Sequence, residues 1–115
     1  MPYMLLIVEP RGLRGLRSPD QGKNVYQRML DYNDMLKSKG VLIESNSLRS
    51  DAVRLTVRGG KAITTDGPFT EAKEIVGGFF LLNCTSRQQA LAFARECPAA
   101  EWASIEVRDT GPCYE

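Results

Sequence analysis

Histidine is missing altogether from the 115 residues. Its absence removes the Ser-His-Asp triad, the Cys-His nucleophile pair and every metal site that needs an imidazole. Cysteine is scarce: Cys84, Cys97 and Cys113 are far apart, with no C-x-x-C among them. That pattern supports neither a zinc framework nor a disulfide scaffold; it fits a reduced, cytoplasmic setting, with no metal and no cofactor expected. An excess of either charge is also lacking. Fifteen basic residues against fourteen acidic ones leave a net charge of +1, too little for the phosphate attraction behind nucleic-acid binding. The apolar run near the N-terminus, YMLLIV at 3 to 8, stops at the charged Glu9, so neither a signal peptide nor a membrane span is expected. Nucleotide cradles of the G-x-x-x-x-G-K-[ST] and G-x-G-x-x-G kinds are absent.

What is present is an ordinary globular composition, 43% hydrophobic and 25% charged, enough for one core in a single domain over 1–115. YMLLIV reads as a buried strand. The following RGLRGLR at 11 to 17 is expected to be a solvated loop rather than an anion site. Ser18-Pro19-Asp20 opens a helix. Its apolar face is Val25, Met29, Tyr32 and Leu36, at spacings of four, three and four, and Gly40 closes it as a left-handed cap. VLIES at 41 to 45 is a second strand. AVRLTVR at 52 to 58 alternates Val53, Leu55 and Val57 with Arg54, Thr56 and Arg58, which predicts a half-buried strand. Gly59-Gly60 turns it into an antiparallel return, KAITT. GFFLLNC is a further strand, Ser86 and Gln89 form a capping box for the helix RQQALAFAREC, Pro98 ends that helix, and WASIEVR is the last strand. The tail DTGPCYE is expected to be irregular. Cys84 and Cys97 belong in or beside the core.

The order is β-α-β-β, a hairpin return, then β-α-β: an α+β, ferredoxin-like split βαβ pattern with an extra hairpin. Both helices fall on one face of the sheet. The other face needs cover, and a homodimer pairing two sheets is the expected solution, with a loop or the tail as the alternative.

The densest chemistry lies in TTDGPFTEAKEIVGGFF, 64 to 80. Asp66, Gly67 and Pro68 compose a turn, with Phe69 as its expected anchor on the core. Thr70 to Glu74 resembles the start of a short helical turn. On a functional reading, Asp66, Glu71, Lys73 and Glu74 gather at the mouth of a cleft, with Arg54 or Arg58 beside them, and bind a small polar ligand. A carboxylate there, Asp66 or Glu71, is the candidate base if it is held partly desolvated. On the plain reading the same charges are a solvated surface. Gly77-Gly78 marks a bulge or a close approach of another backbone or a ligand.

These segments together, YMLLIVE, TDGPFTEAKEIVGGFFLLNC, QQALAFARECP and IEVR, resemble the DGPF type of the YCII-related family, which reads D-G-P-F-x-E-x-K-E followed by G-G-aromatic. The resemblance spans nearly the whole chain. It implies a dimeric α+β barrel of ferredoxin-like subunits in small bacterial cytoplasmic proteins, with a cleft near the motif. The family motif falls on Asp66, Gly67, Pro68, Phe69, Glu71, Lys73, Glu74, Gly77 and Gly78. Some members are thought to use a His-Asp pair, which this chain lacks, leaving Asp66, Glu71 or Tyr32 for any acid–base role. Three functions stay open: a homodimer binding a polar metabolite, a cofactor-independent lyase or isomerase with a carboxylate base, and an accessory module for an extracytoplasmic-function sigma factor. Co-purification with a sigma factor tests the last.

Overall fold

The computed structural model describes residues 1–114. Strand β1 (Tyr3–Pro10) is followed by a 3-10 turn at Leu13–Leu16 and helix α1 (Pro19–Ser38). Strands β2 (Leu42–Ser47), β3 (Val53–Arg58), β4 (Lys61–Asp66) and β5 (Glu74–Leu82) come next, then helix α2 (Arg87–Glu96) and strand β6 (Ser104–Asp109). β2, β5, β1 and β6 form a four-stranded sheet in that order, antiparallel at every pairing. With β3 and β4 set aside, this is the ferredoxin-like α+β arrangement. β3 and β4 form a two-stranded sheet of their own.

Local chemistry explains the helix limits. The Ser18 hydroxyl accepts from the Gln21 N–H at 3.2 Å, and the Gln21 side chain accepts from the Ser18 N–H at 2.9 Å, a complete capping box. At the other end Gly40 sits at φ 70°, where a β-carbon would be strained. α2 is capped differently from expectation. The Ser86 hydroxyl accepts from the Gln89 N–H, but the Gln89 side chain accepts from Thr85, so only half of the box forms.

The core lies between the sheet and both helices. Leu5 and Ile7 from β1, Phe80 and Leu82 from β5, Tyr32 and Leu36 from α1, and Ala90 and Ala94 from α2 are buried together with Cys84 and Cys97. Tyr32 meets Phe80 edge to face, with ring centroids 5.1 Å apart, and its hydroxyl donates to the Phe93 carbonyl at 2.6 Å. Met4, Leu6, Val8 and Leu81 take no part in this core and remain partly exposed on the opposite face.

The hairpin departs from expectation. Gly59 and Gly60 adopt φ 58° and 77° and make the turn, yet β3 is not half-buried: Val53, Leu55 and Val57 are 64%, 60% and 57% exposed. The alternation gives one apolar face, and nothing in the same chain covers it. The radius of gyration, 16.1 Å, exceeds the roughly 13 Å of a compact chain of this length, and the molecule is 47 × 43 × 18 Å across its principal axes. It is a flat body with an arm. Residues Thr70 to Glu74 also differ. They form a single turn closed by the Ala72 N–H to the Phe69 carbonyl at 2.9 Å, and Glu74 already belongs to β5.

Candidate functional site

β1 alternates, so Leu5, Ile7 and Glu9 share the face that looks at the helices. The last of these is an acid, buried to 5% exposure. A carboxylate there requires a partner, since removing a charge from water uncompensated is strongly unfavourable. Arg14 provides it: Nε donates to Glu9 Oε2 at 3.1 Å and Nη2 to Oε1 at 2.8 Å, a two-pronged ion pair. The same guanidinium donates to the carbonyl of Leu48 at 2.6 Å and that of Gly77 at 3.1 Å. One side chain thus ties the start of the 3-10 turn to β1, to β5 and to the residue after β2. RGLRGLR is therefore not simply a solvated loop.

Room for this pair comes from a bulge. Ile7 pairs with Gly78 and Val8 with Val76, so Gly77 is skipped in the ladder between β1 and β5. A β-carbon at Gly77 would stand 1.8 Å from Glu9 Oε1, and one at Gly78 would stand 2.9 Å from the Asn46 carbonyl oxygen. Both glycines are steric requirements.

Glu9 and Arg14 line a cleft of about 480 Å³ between α1 and the sheet, a size suited to a small organic ligand. Its apolar walls include Met29, Phe80 and Trp102. Polar groups converge from α1 and β2, where Ser45 Oγ is hydrogen-bonded to Asn33 Oδ1. Arg17 lies over the Trp102 ring, 5.3 Å from its centroid, and Arg28 lies 5.5 Å from the same ring while pairing with Glu101.

The residues singled out in the motif are placed elsewhere. Asp66, Gly67, Pro68, Phe69, Glu71 and Lys73 do not line this cleft. Asp66 ends β4 and the others follow in the turn after it, with Asp66, Pro68, Glu71 and Lys73 exposed. The turn holds itself together: the Gly67 N–H donates to the Ala52 carbonyl at 2.9 Å, Arg54 donates to Glu71 at 2.9 Å, and the same guanidinium covers the Phe69 ring at 3.8 Å. Phe69 is thus anchored under an arginine rather than in the core. The Arg54 hydrogen bond, with a backbone contribution at Glu71 itself, holds the Glu71 carboxyl below the usual carboxylate range, the opposite direction from a proton acceptor tuned toward neutrality. Arg58 lies at the tip of the hairpin, paired with Lys61, whereas Asp66 pairs with Val53 at the base. Five residue steps along the ladder, about 17 Å, separate them. Tyr32 is a core residue, its hydroxyl pushed well above the usual value, chiefly by burial.

The two regions still communicate. The Arg11 N–H donates to the Lys73 carbonyl and its Nε to the Ala72 carbonyl, each at 2.9 Å, so the motif turn is tied to the loop that carries Arg14. Gly77 and Gly78, the end of the motif, line the cleft directly.

The family model of the YCII-related domain matches residues 1–112. The chain belongs to the YCII-related family. One relative is Uncharacterized protein R00369 of Rhizobium meliloti (strain 1021), 44% identical over 59 residues, a match covering 50% of this chain and 48% of that protein. The chain thus aligns with about half the length of that relative. The fold is similar to that of 5-chloro-2-hydroxyhydroquinone dehydrochlorinase (TftG) from Burkholderia phenoliruptrix AC1100, solved in complex with 2,5-dihydroxybenzoquinone. The TM-score is 0.56 at 16% identity, with 96% of this chain and 94% of that one covered. In this YCII-related domain no helix of the described residues is long and apolar enough to cross a membrane, and no group of three or more acidic or cysteine side chains among them could hold a metal ion.

Glu9, Arg14 and Arg17 escape a motif-based reading. A usable signal existed in the parity of β1, which puts an acid in register with Leu5 and Ile7.

Proposed function

We propose that this YCII-related protein binds a small oxygenated organic molecule in the cleft between α1 and the sheet, and that it works as a homodimer. The observation that carries the first part is the Glu9–Arg14 pair. It joins a buried carboxylate to a half-buried arginine in a dedicated steric recess, beside a cleft of about 480 Å³ with aromatic and amide walls. Packing alone does not call for it, since an apolar pair of similar volume is often as stable or more so. The complex of TftG with 2,5-dihydroxybenzoquinone makes compact oxygenated rings the first class to test. The second part is supported by the bare apolar face of β3 and the uncovered back of the sheet.

A thermal-shift screen over such compounds tests the site. A ligand that binds the folded state raises the melting temperature by mass action. If the cleft is the site, a shift given by the wild type disappears in Glu9→Gln and survives in Asp66→Asn. The converse pattern places the ligand at the motif turn among Asp66, Glu71 and Lys73 and overturns the cleft reading.

A second reading is lyase-type catalysis without a cofactor, favoured by a buried carboxylate in the cleft of a chain whose fold is similar to that of a dehydrochlorinase. Here Glu9, the carboxylate on the cleft wall, takes the place of Asp66 or Glu71 as the candidate proton-transferring group, and its two hydrogen bonds from Arg14 must loosen for it to take a proton. Turnover of a cleft ligand that persists unchanged in Glu9→Gln would sink this reading.

A further inference from the structure

Three arginines stand around the cleft and its mouth, and two have acidic partners. Arg14 is paired with Glu9, and Arg28 with Glu101. Arg17 has none: it makes no ion pair and no side-chain hydrogen bond among the described residues. The residue is half-buried, lines the cleft, and holds its guanidinium over the Trp102 ring, with no protein acceptor for its side-chain N–H groups among the described residues. The charges on the cleft wall are those of Glu9, Arg14 and Arg17, and after the first two cancel one positive charge remains. The adjoining walls include the apolar side chains of Trp102, Phe80 and Met29.

Resting on the cleft reading above, we infer that the ligand is a planar ring bearing a single anionic oxygen group, a carboxylate or an acidic enol or phenol. Arg17, held on the Trp102 ring, receives the charge, and the apolar wall that includes Phe80 and Met29 lies against the ligand ring. A guanidinium already stacked on an aromatic face is preorganised, so little side-chain freedom is lost when it accepts an anion. A neutral ring of the same shape keeps the stacking and loses the charge-assisted hydrogen bonds.

Two matched pairs of probes test this by calorimetry at millimolar concentrations: benzoate against benzamide, and 4-nitrophenolate against 4-nitroanisole. For benzoate and benzamide, fluorescence of Trp102, the one tryptophan of the chain, reports occupancy of the mouth. In the wild type at least one anion should bind about tenfold more tightly than its neutral partner, the worth of one charge-assisted bond. The pair that shows the preference separates carboxylate from phenolate ligands. Arg17→Met should bring the two members of that pair to within about threefold, and Arg17→Lys should restore part of the difference. Equal binding of anion and neutral probe, or a preference that survives in Arg17→Met, overturns the inference and leaves the cleft reading standing. No binding by any probe, with Trp102 fluorescence unchanged, overturns both.

Discussion

Gly77 has no side chain because Glu9 occupies the space where one would be. A β-carbon there would lie 1.8 Å from the Glu9 carboxylate oxygen and 2.8 Å from Arg14 Nη2. The two residues sit on neighbouring strands, and the bulge that skips Gly77 turns its backbone toward the ion pair. Gly77→Ala must therefore displace Glu9 or the strand. A cost of about 3 kcal/mol is expected, since overpacking and loss of a buried ion pair act together. Urea unfolding measures it. Gly22→Ala is the control: no atom lies within 4 Å of a β-carbon at that helical position, so the same change should stabilise by about 0.5–1 kcal/mol. Equal effects at the two glycines would rule out the steric account.

Arg14→Met tests the other half of the pair. It leaves Glu9 buried without its partner and withdraws donors from the Leu48 and Gly77 carbonyls. Loss of one member of a fully buried pair costs about 3–5 kcal/mol. The Arg14 side chain is 34% exposed, so water compensates in part and about 2–3 kcal/mol is expected. The double variant Glu9→Gln/Arg14→Met should lose less than the sum of the single changes, because the amide does not need the cation. Strict additivity in chemical denaturation would show that the two residues do not act as a pair.

Much of this architecture is legible in the sequence because its signals are local. Ser18-Pro19-Asp20, Gly40, and Gly59-Gly60 each fix a backbone event within a few residues, and all three appear where the pattern puts them. The cleft is not local. Arg14 and Gly77 are 63 residues apart in the chain; Gly77-Gly78 was legible as a bulge or a close approach, but nothing beside it names Glu9 or Arg14 as the groups that approach. Density of charge drew attention to Asp66, Glu71 and Lys73, whose side chains lie on the surface, while the solitary Glu9 at the end of an apolar strand lies inside. The alternation of β3 was legible as an apolar face, but period-two patterning states which residues share a side and not what covers them.

Tyr32 should govern the alkaline limit of stability. Burial raises its folded pKa, while in the unfolded chain it titrates near 10. Stability from the neutral hydroxyl is fully present below about pH 10 and is lost as pH rises from there toward the folded value. Tyr32→Phe removes the hydrogen bond to the Phe93 carbonyl at a cost of about 1 kcal/mol near neutrality. The gap between wild type and variant should narrow above pH 10. Chemical denaturation at pH 8 and above pH 10 checks the sign, and a gap that widens would contradict the assignment.

The hairpin supplies the last test. Two-stranded hairpins standing alone are marginal in water, yet β3 and β4 form a regular ladder from Val53↔Asp66 to Arg58↔Lys61. Its apolar face, Val53, Leu55 and Val57, is too exposed to be stabilised by its own chain. A second copy is the occupant we propose, because the same chain also presents the uncovered sheet face of Met4, Leu6, Val8 and Leu81, and a twofold assembly buries each such surface twice. Leu55→Lys/Val57→Lys places charges on that face without touching the core. Sedimentation velocity should show a dimer for the wild type and a monomer for the variant, with the far-ultraviolet spectrum of the four-stranded sheet and helices retained. A wild type that sediments as a monomer would remove the dimer, and a variant that remains dimeric would move the interface off the hairpin.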